Sequence, residues 1–101
     1  MGPIIFNVTV KVDSDIQAEW LSWMKAEHIP GVMNTGLFSG NRLCRVLNDE
    51  TDGVTFAVQY FCNNLEDFKK YELDFAPSLR KKHYDKYGER ALAFRTLLEV
   101  I

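Results

Sequence analysis

WLSWMKAEHIPGVMNTG, residues 20–36, is the stretch whose reading decides the fold. Trp20, Trp23 and Met24 recur at helical spacing, with Ile16 before them and His28 one turn further on, which gives a helix a single apolar stripe. That helix is expected from about Asp15 to His28. Pro30 disfavours the α conformation at Ile29, and Gly31 loosens the exit, so the helix is expected to end there. Just upstream, Ser14 with Gln17 reads as a capping box, and Asp15 suits the positive end of a helix.

Before this segment, residues 4–12 (IIFNVTVKV) alternate: Phe6, Val8, Val10 and Val12 define one face, Asn7, Thr9 and Lys11 the other. After Gly36 an extended run from about Leu37 to Leu47 is expected, with a bulge near Ser39-Gly40-Asn41. NDETDG, residues 48–53, reads as a hairpin turn. A third strand spans Val54 to Cys62. Asn64 then caps a second helix with the stripe Leu65, Phe68, Tyr71, Phe75 and Leu79, kinked by Pro77 and closed by Gly88. The last strand covers about Ala91 to Ile101, with Phe94, Leu98 and Val100 alternating against Arg95, Leu97 and Glu99.

The order is βαββαβ. Right-handed crossovers then give an α+β, ferredoxin-like domain over residues 1–101, an antiparallel sheet of order 4-1-3-2 with both helices on one face. The other face is expected to carry Asn7, Thr9, Lys11, Thr55, Ala57, Gln59 and Phe61, joined by Leu97. It is too apolar for an open surface, and a second copy stacked on it would hide it.

The 101 residues are 47% hydrophobic and 26% charged, which suits one globular domain. A net charge of −2 gives no field for nucleic acid. The strand DGVTFAVQYF has Asp52 and Val54 where an RNA-binding sheet needs a basic residue and an exposed aromatic. No apolar run reaches the ~20 residues of a membrane helix, and the first residues lack a charged leader, so a cytoplasmic protein is expected. Cys44 is placed roughly opposite Phe61, which leaves Cys62 on the other face. A disulfide is then awkward, and both thiols read as small buried hydrophobes.

The chain is similar to a bacterial domain family of unknown function within the dimeric α/β-barrel superfamily. The resemblance rests on IIFNVTVKV, EWLSWMKAEHIPGVMNTGLF, RLCRVL, VQYF, DFKKYELDFAPSL and AFRTLLEV, which together span nearly its whole length. It implies a homodimer whose sheets face each other. It implies no activity, since the superfamily holds cofactor-independent monooxygenases, isomerases, haem enzymes and non-enzymatic relatives.

His28 is the sharpest candidate for chemistry. At a helix C-terminus facing the helix–sheet cleft, it would titrate near neutrality and serve as general acid or base. Capping the helix carbonyls is the plainer role. Trp23 and Met24, with Tyr60 and Tyr71 opposite, could wall an aromatic pocket or simply fill the core. His83 shares a helix face with Tyr87 and stands beside Tyr84 and Asp85, as a second acid–base group or a solvated helix end. Arg42 and Cys44 share one strand face and Arg45 the other, so one arginine could anchor a carboxylate ligand or pair across a dimer. No metal-spaced histidine pair, phosphate loop or nucleophile elbow is present, and no cofactor is expected. Two functions follow. One is a homodimer that binds a small apolar or aromatic molecule. The other is a cofactor-independent monooxygenase or isomerase on a small aromatic or polyketide-like substrate, with His28 moving the proton.

Overall fold

Residues 2–47 and 52–101 are described by a computed structural model. Strands β1 (Ile4–Val12), β2 (Gly40–Arg45), β3 (Val54–Cys62) and β4 (Ala91–Glu99) form one antiparallel sheet in the order β2-β3-β1-β4, the ferredoxin-like arrangement. The period-two pattern fixes its register. Phe6 pairs with Tyr60 and Val10 with Phe56, so the apolar positions of both central strands face the helices. Phe6 sits in an aromatic cluster, its ring centroid 5.0 Å from Phe68, 5.9 Å from Tyr71 and 6.0 Å from Tyr60.

The first helical segment departs from expectation. A short 3-10 turn at Ser14–Ile16 leads into α1 (Gln17–Trp23), and neither start has a side-chain cap, so the Ser14–Gln17 capping box does not form. Asp15 instead pairs with Arg90, 2.5 Å away. The helix also runs through Pro30. Met24–His28 form a wide π turn, in which the Ile29 amide donates to the Met24 carbonyl, and α2 (Ile29–Met33) follows at once. Proline breaks an α-helix by removing an amide and crowding the carbonyl four residues back. Here the widened turn relieves that crowding, and Pro30 occupies the first turn of α2, where an amide is dispensable.

Asn64 caps α3 (Leu65–Asp74), accepting from the Asp67 amide at 2.8 Å. Phe75 breaks the helix before Pro77, α4 (Ala76–Tyr87) follows, and Gly88 leaves it with a positive φ. The arms of this kink are tied by Arg80 and Glu72, 2.8 Å apart.

Three strand expectations are corrected. β2 begins only at Gly40 and ends at Arg45. Cys44 pairs with Ala57, while Phe61 pairs with Gly40, so Cys44 lies on the open face and is only half-buried. Cys62 is buried on the helix side. In β4, Leu97 pairs with Phe6 and Arg95 with Val8, which turns both toward the helices. Leu92, Phe94 and Leu98 take the open face in their place. Residues 48–51 of the turn expected over 48–53 lie outside the described residues. Among the described residues no helix is long and apolar enough to cross a membrane.

Candidate functional site

The helices do not fill the space above the sheet. Between the π turn, α2, α3 and α4 on one side and β1, β3 and β4 on the other lies a cavity of about 30 Å³, room for about two waters. Its floor is apolar: Val8, Val10, Val58 and Ala93 from the sheet, Met24 and Val32 from the helices. Its polar groups are His28, His83, Tyr60, Tyr71, Arg80 and Arg95.

The π turn places His28. In an α-helix residues five apart point about 140° away from each other. The wider turn brings Trp23 and His28 together instead, with ring centroids 5.4 Å apart. The His28 ring also meets His83 at 5.7 Å, nearly edge to face. His28 is therefore neither a helix C-terminal residue nor stabilised there as imidazolium. Burial, with His83 and Arg95 adding to it, lowers its pKa to about 4, and it is neutral at pH 7.

His83 is fixed from the other side. The Trp20 indole donates to its Nε2 at 3.0 Å, so the ring proton of a neutral His83 sits on Nδ1. Burial holds its pKa below the ordinary value, with Arg95 adding to the effect. His83 and Tyr87 do share a face, with centroids 5.6 Å apart, whereas Tyr84 and Asp85 stand in solvent.

The Tyr60 hydroxyl is buried with no hydrogen-bond partner among the described residues, and Tyr60 lines the cavity. Burial raises the pKa of Tyr60 and pushes that of Tyr71 up to about 12, so both phenols keep their protons. A second, wider hollow of about 470 Å³ lies outside, lined by Trp23, Glu27, Gly31, Lys82 and Lys86. It shares two residues with the inner cavity, His28 and Leu79.

Of the residues singled out in the sequence, His28, Met24, Tyr60, Tyr71 and His83 meet at the inner cavity, and Trp23 lines the outer hollow. Arg42 does not join them. It lies on the open face, donating to Gln59 Oε1 at 2.7 Å, on the far side of the sheet. Sequence reasoning missed Arg80 and Arg95. The signal for Arg95 is its position on β4, an odd number of residues from Phe94, once the strand register is known.

A four-stranded ferredoxin-like sheet with a helix–sheet cavity defines the structural class. Within it, the chain belongs to DUF4286, a domain of unknown function whose profile matches residues 3–101. No curated protein matches it in sequence. Three crystal structures share the fold. A dimeric ferredoxin-like protein from an uncultured marine organism is 12% identical, with a TM-score of 0.74 over 100% of this chain and 97% of that one. An ethyl tert-butyl ether d (EthD) family protein from Bacillus halodurans is 10% identical, with a TM-score of 0.72 over 97% and 99%. A proposed monooxygenase from Shewanella loihica is 16% identical, with a TM-score of 0.65 over 99% and 95%.

Proposed function

We propose that the protein is a cytoplasmic homodimer, joined through its open sheet faces, that binds a small, partly apolar molecule in the helix–sheet cavity. Two free thiols fit a reducing compartment. The dimer is supported by Phe94, which is 66% exposed, with Leu92 and Leu98 also exposed on the open face, and by the dimeric protein of the same fold.

One observation carries the binding reading. The Tyr60 hydroxyl is a buried donor with no partner among the described residues, on a side chain that lines a cavity also lined by two neutral imidazoles. Buried polar groups are normally satisfied, and one left open at a cavity is a place where a ligand or ordered water bonds. The test is a screen of small aromatic and aliphatic compounds by NMR, followed at the Met24 methyl and the two histidine rings. Binders are expected to shift these signals together. A screen that moves only surface residues sinks the reading.

The neutral state of His28 favours a second, enzymatic reading. A neutral imidazole accepts a proton, and one beside an enolisable carbon or a phenol could take that proton and return it to another atom of the same molecule. Such an isomerisation needs no oxidant. The oxygenase form of the reading adds dioxygen as co-substrate. Loss of turnover in a folded His28→Gln variant, with binding retained, is the expected signature of either.

A further inference from the structure

Five arginines occur in the chain, and four are engaged. Arg42 bonds Gln59, Arg45 lies 5.5 Å over the Phe56 ring, Arg80 pairs with Glu72, and Arg90 pairs with Asp13 and Asp15. Arg95 forms no hydrogen bond or ion pair with any described residue. Its register opposite Val8 nevertheless turns it toward the helices and into the cavity wall.

The cavity is lopsided in charge. Arg80 and Arg95 line it, and no aspartate or glutamate does. Glu72 is paired with Arg80 and acts on Arg95 only through space, so the Arg95 N–H donors have no carboxylate partner among the described residues. Both histidines are neutral and Arg80 is held by Glu72, so Arg95 is the open cationic donor of the wall. A guanidinium presents parallel N–H donors that match the two oxygens of a carboxylate. One guanidinium with open donors and a narrow cavity suit a monoanion better than a phosphate, which carries more charge and more bound water.

We propose that the ligand of this cavity is a small monocarboxylic acid, with its carboxylate on Arg95 and its body lying against Met24, Val32 and Val58 toward Tyr60 and His28. The proposal rests on the cavity being a ligand site and adds the charge and orientation of what it holds. Arg95 stands at the β4 edge, where an acid keeps its carboxylate near water while its body enters the apolar interior. The inner cavity at about 30 Å³ takes no more than the smallest acid, so a longer or aromatic acid extends past Leu79 into the outer hollow of about 470 Å³.

Acetate, butyrate and benzoate, each set against its neutral amide, test this by calorimetry and by NMR shifts at the Arg95 side chain and the Met24 methyl. At least one acid is expected to bind about tenfold or more tightly than its amide, as charge-assisted bonds allow. Arg95→Gln is expected to remove that margin and leave amide binding within about twofold, while Arg95→Lys restores part of it. Arg95 sits on an edge strand in partial contact with solvent, so these variants are expected to fold. Acid and amide binding equally well overturns the proposal and leaves the cavity reading standing, as does Arg95→Gln retaining full acid affinity. If neither acids nor amides move the cavity signals, both readings fall.

Discussion

Trp20 Nε1 donates to His83 Nε2 at 3.0 Å, joining two residues 63 positions apart within the core. The indole is fully buried, stacks on Phe56 at 5.0 Å, and stands edge-on to the imidazole. It thereby ties α1 to α4 and sets which nitrogen of His83 carries the proton.

Trp20→Phe leaves that nitrogen buried without its donor and opens space beside Phe56. The two effects together are expected to cost about 2–4 kcal/mol. Urea unfolding measures the loss, and nitrogen NMR of His83 reads the tautomer. The assigned role fails if the variant stays within about 0.5 kcal/mol of wild type and the Nδ1–H form remains unmixed.

The depressed pKa of His28 makes stability depend on pH in a defined direction. Its value falls from 6.5 to about 4 on folding, so between these limits the unfolded chain binds a proton that the folded chain refuses. Stability from this group is fully present above pH 6.5 and is lost as the pH falls toward 4. The loss is at most on the order of 3 kcal/mol, and His83 acts in the same direction. In urea unfolding at pH 7.5 and 4.5, His28→Leu is expected to lose less stability than wild type across that interval. Equal losses in the two proteins refute the depressed pKa.

The sheet was legible in the sequence because β1 and β3 alternate without interruption, so pairing and facing follow together. β4 alternates less plainly. Leu97 and Leu98 are adjacent, either could face inward, and only the pairing of Leu97 with Phe6 decides it. That choice carries Arg95 into the cavity. Pro30 misled for a different reason: a π turn is not written in residue types, and it converts an apparent helix end into the device that stacks Trp23 on His28. His83 could have been placed from sequence. Leu79, His83 and Tyr87 continue the apolar stripe of the second helix at four-residue intervals, though charged neighbours on both sides obscure it.

Leu79 stands between the inner cavity and the outer hollow, and Gly31 is shaped to receive it. A Cβ at Gly31 would come 3.2 Å from Leu79 Cδ2. Leu79→Ala is expected to join the two spaces at a cost of about 1–2 kcal/mol, below the range for fully buried leucines because Leu79 is only half-buried. Relaxation of the Met24 methyl by dissolved dioxygen is expected to rise in this variant. Gly31→Ala is expected to leave it unchanged or lowered, with stability held near wild type by the better helix propensity of alanine, worth up to about 1 kcal/mol. Identical relaxation in Leu79→Ala and wild type shows that Leu79 is not the barrier.

The open sheet face offers the cleanest contrast in the molecule. Phe94 on β4 is 66% exposed and Tyr84 on α4 is 62% exposed, on opposite sides of the sheet. Phe94 lies opposite Thr9 with Leu92 two positions before it on the same face, and Leu98, Ile5 and Phe61 continue that face further along the strands, whereas Tyr84 has Lys81, Asp85 and Lys86 near it on its own helix. Across the strands the same open face carries a polar ladder, Arg42 to Gln59 to Asn7, at 2.7 and 3.3 Å. A twofold partner could match that ladder with its own while burying the apolar edge. Phe94→Lys places a charge in the proposed contact, and Tyr84→Lys places the same charge outside it. Sedimentation at micromolar concentration is expected to show wild type and Tyr84→Lys at twice the 11.7 kDa chain mass, and Phe94→Lys shifted toward the single chain. A wild type that sediments as one chain, or a Phe94→Lys dimer as tight as wild type, removes the open face as the site of assembly.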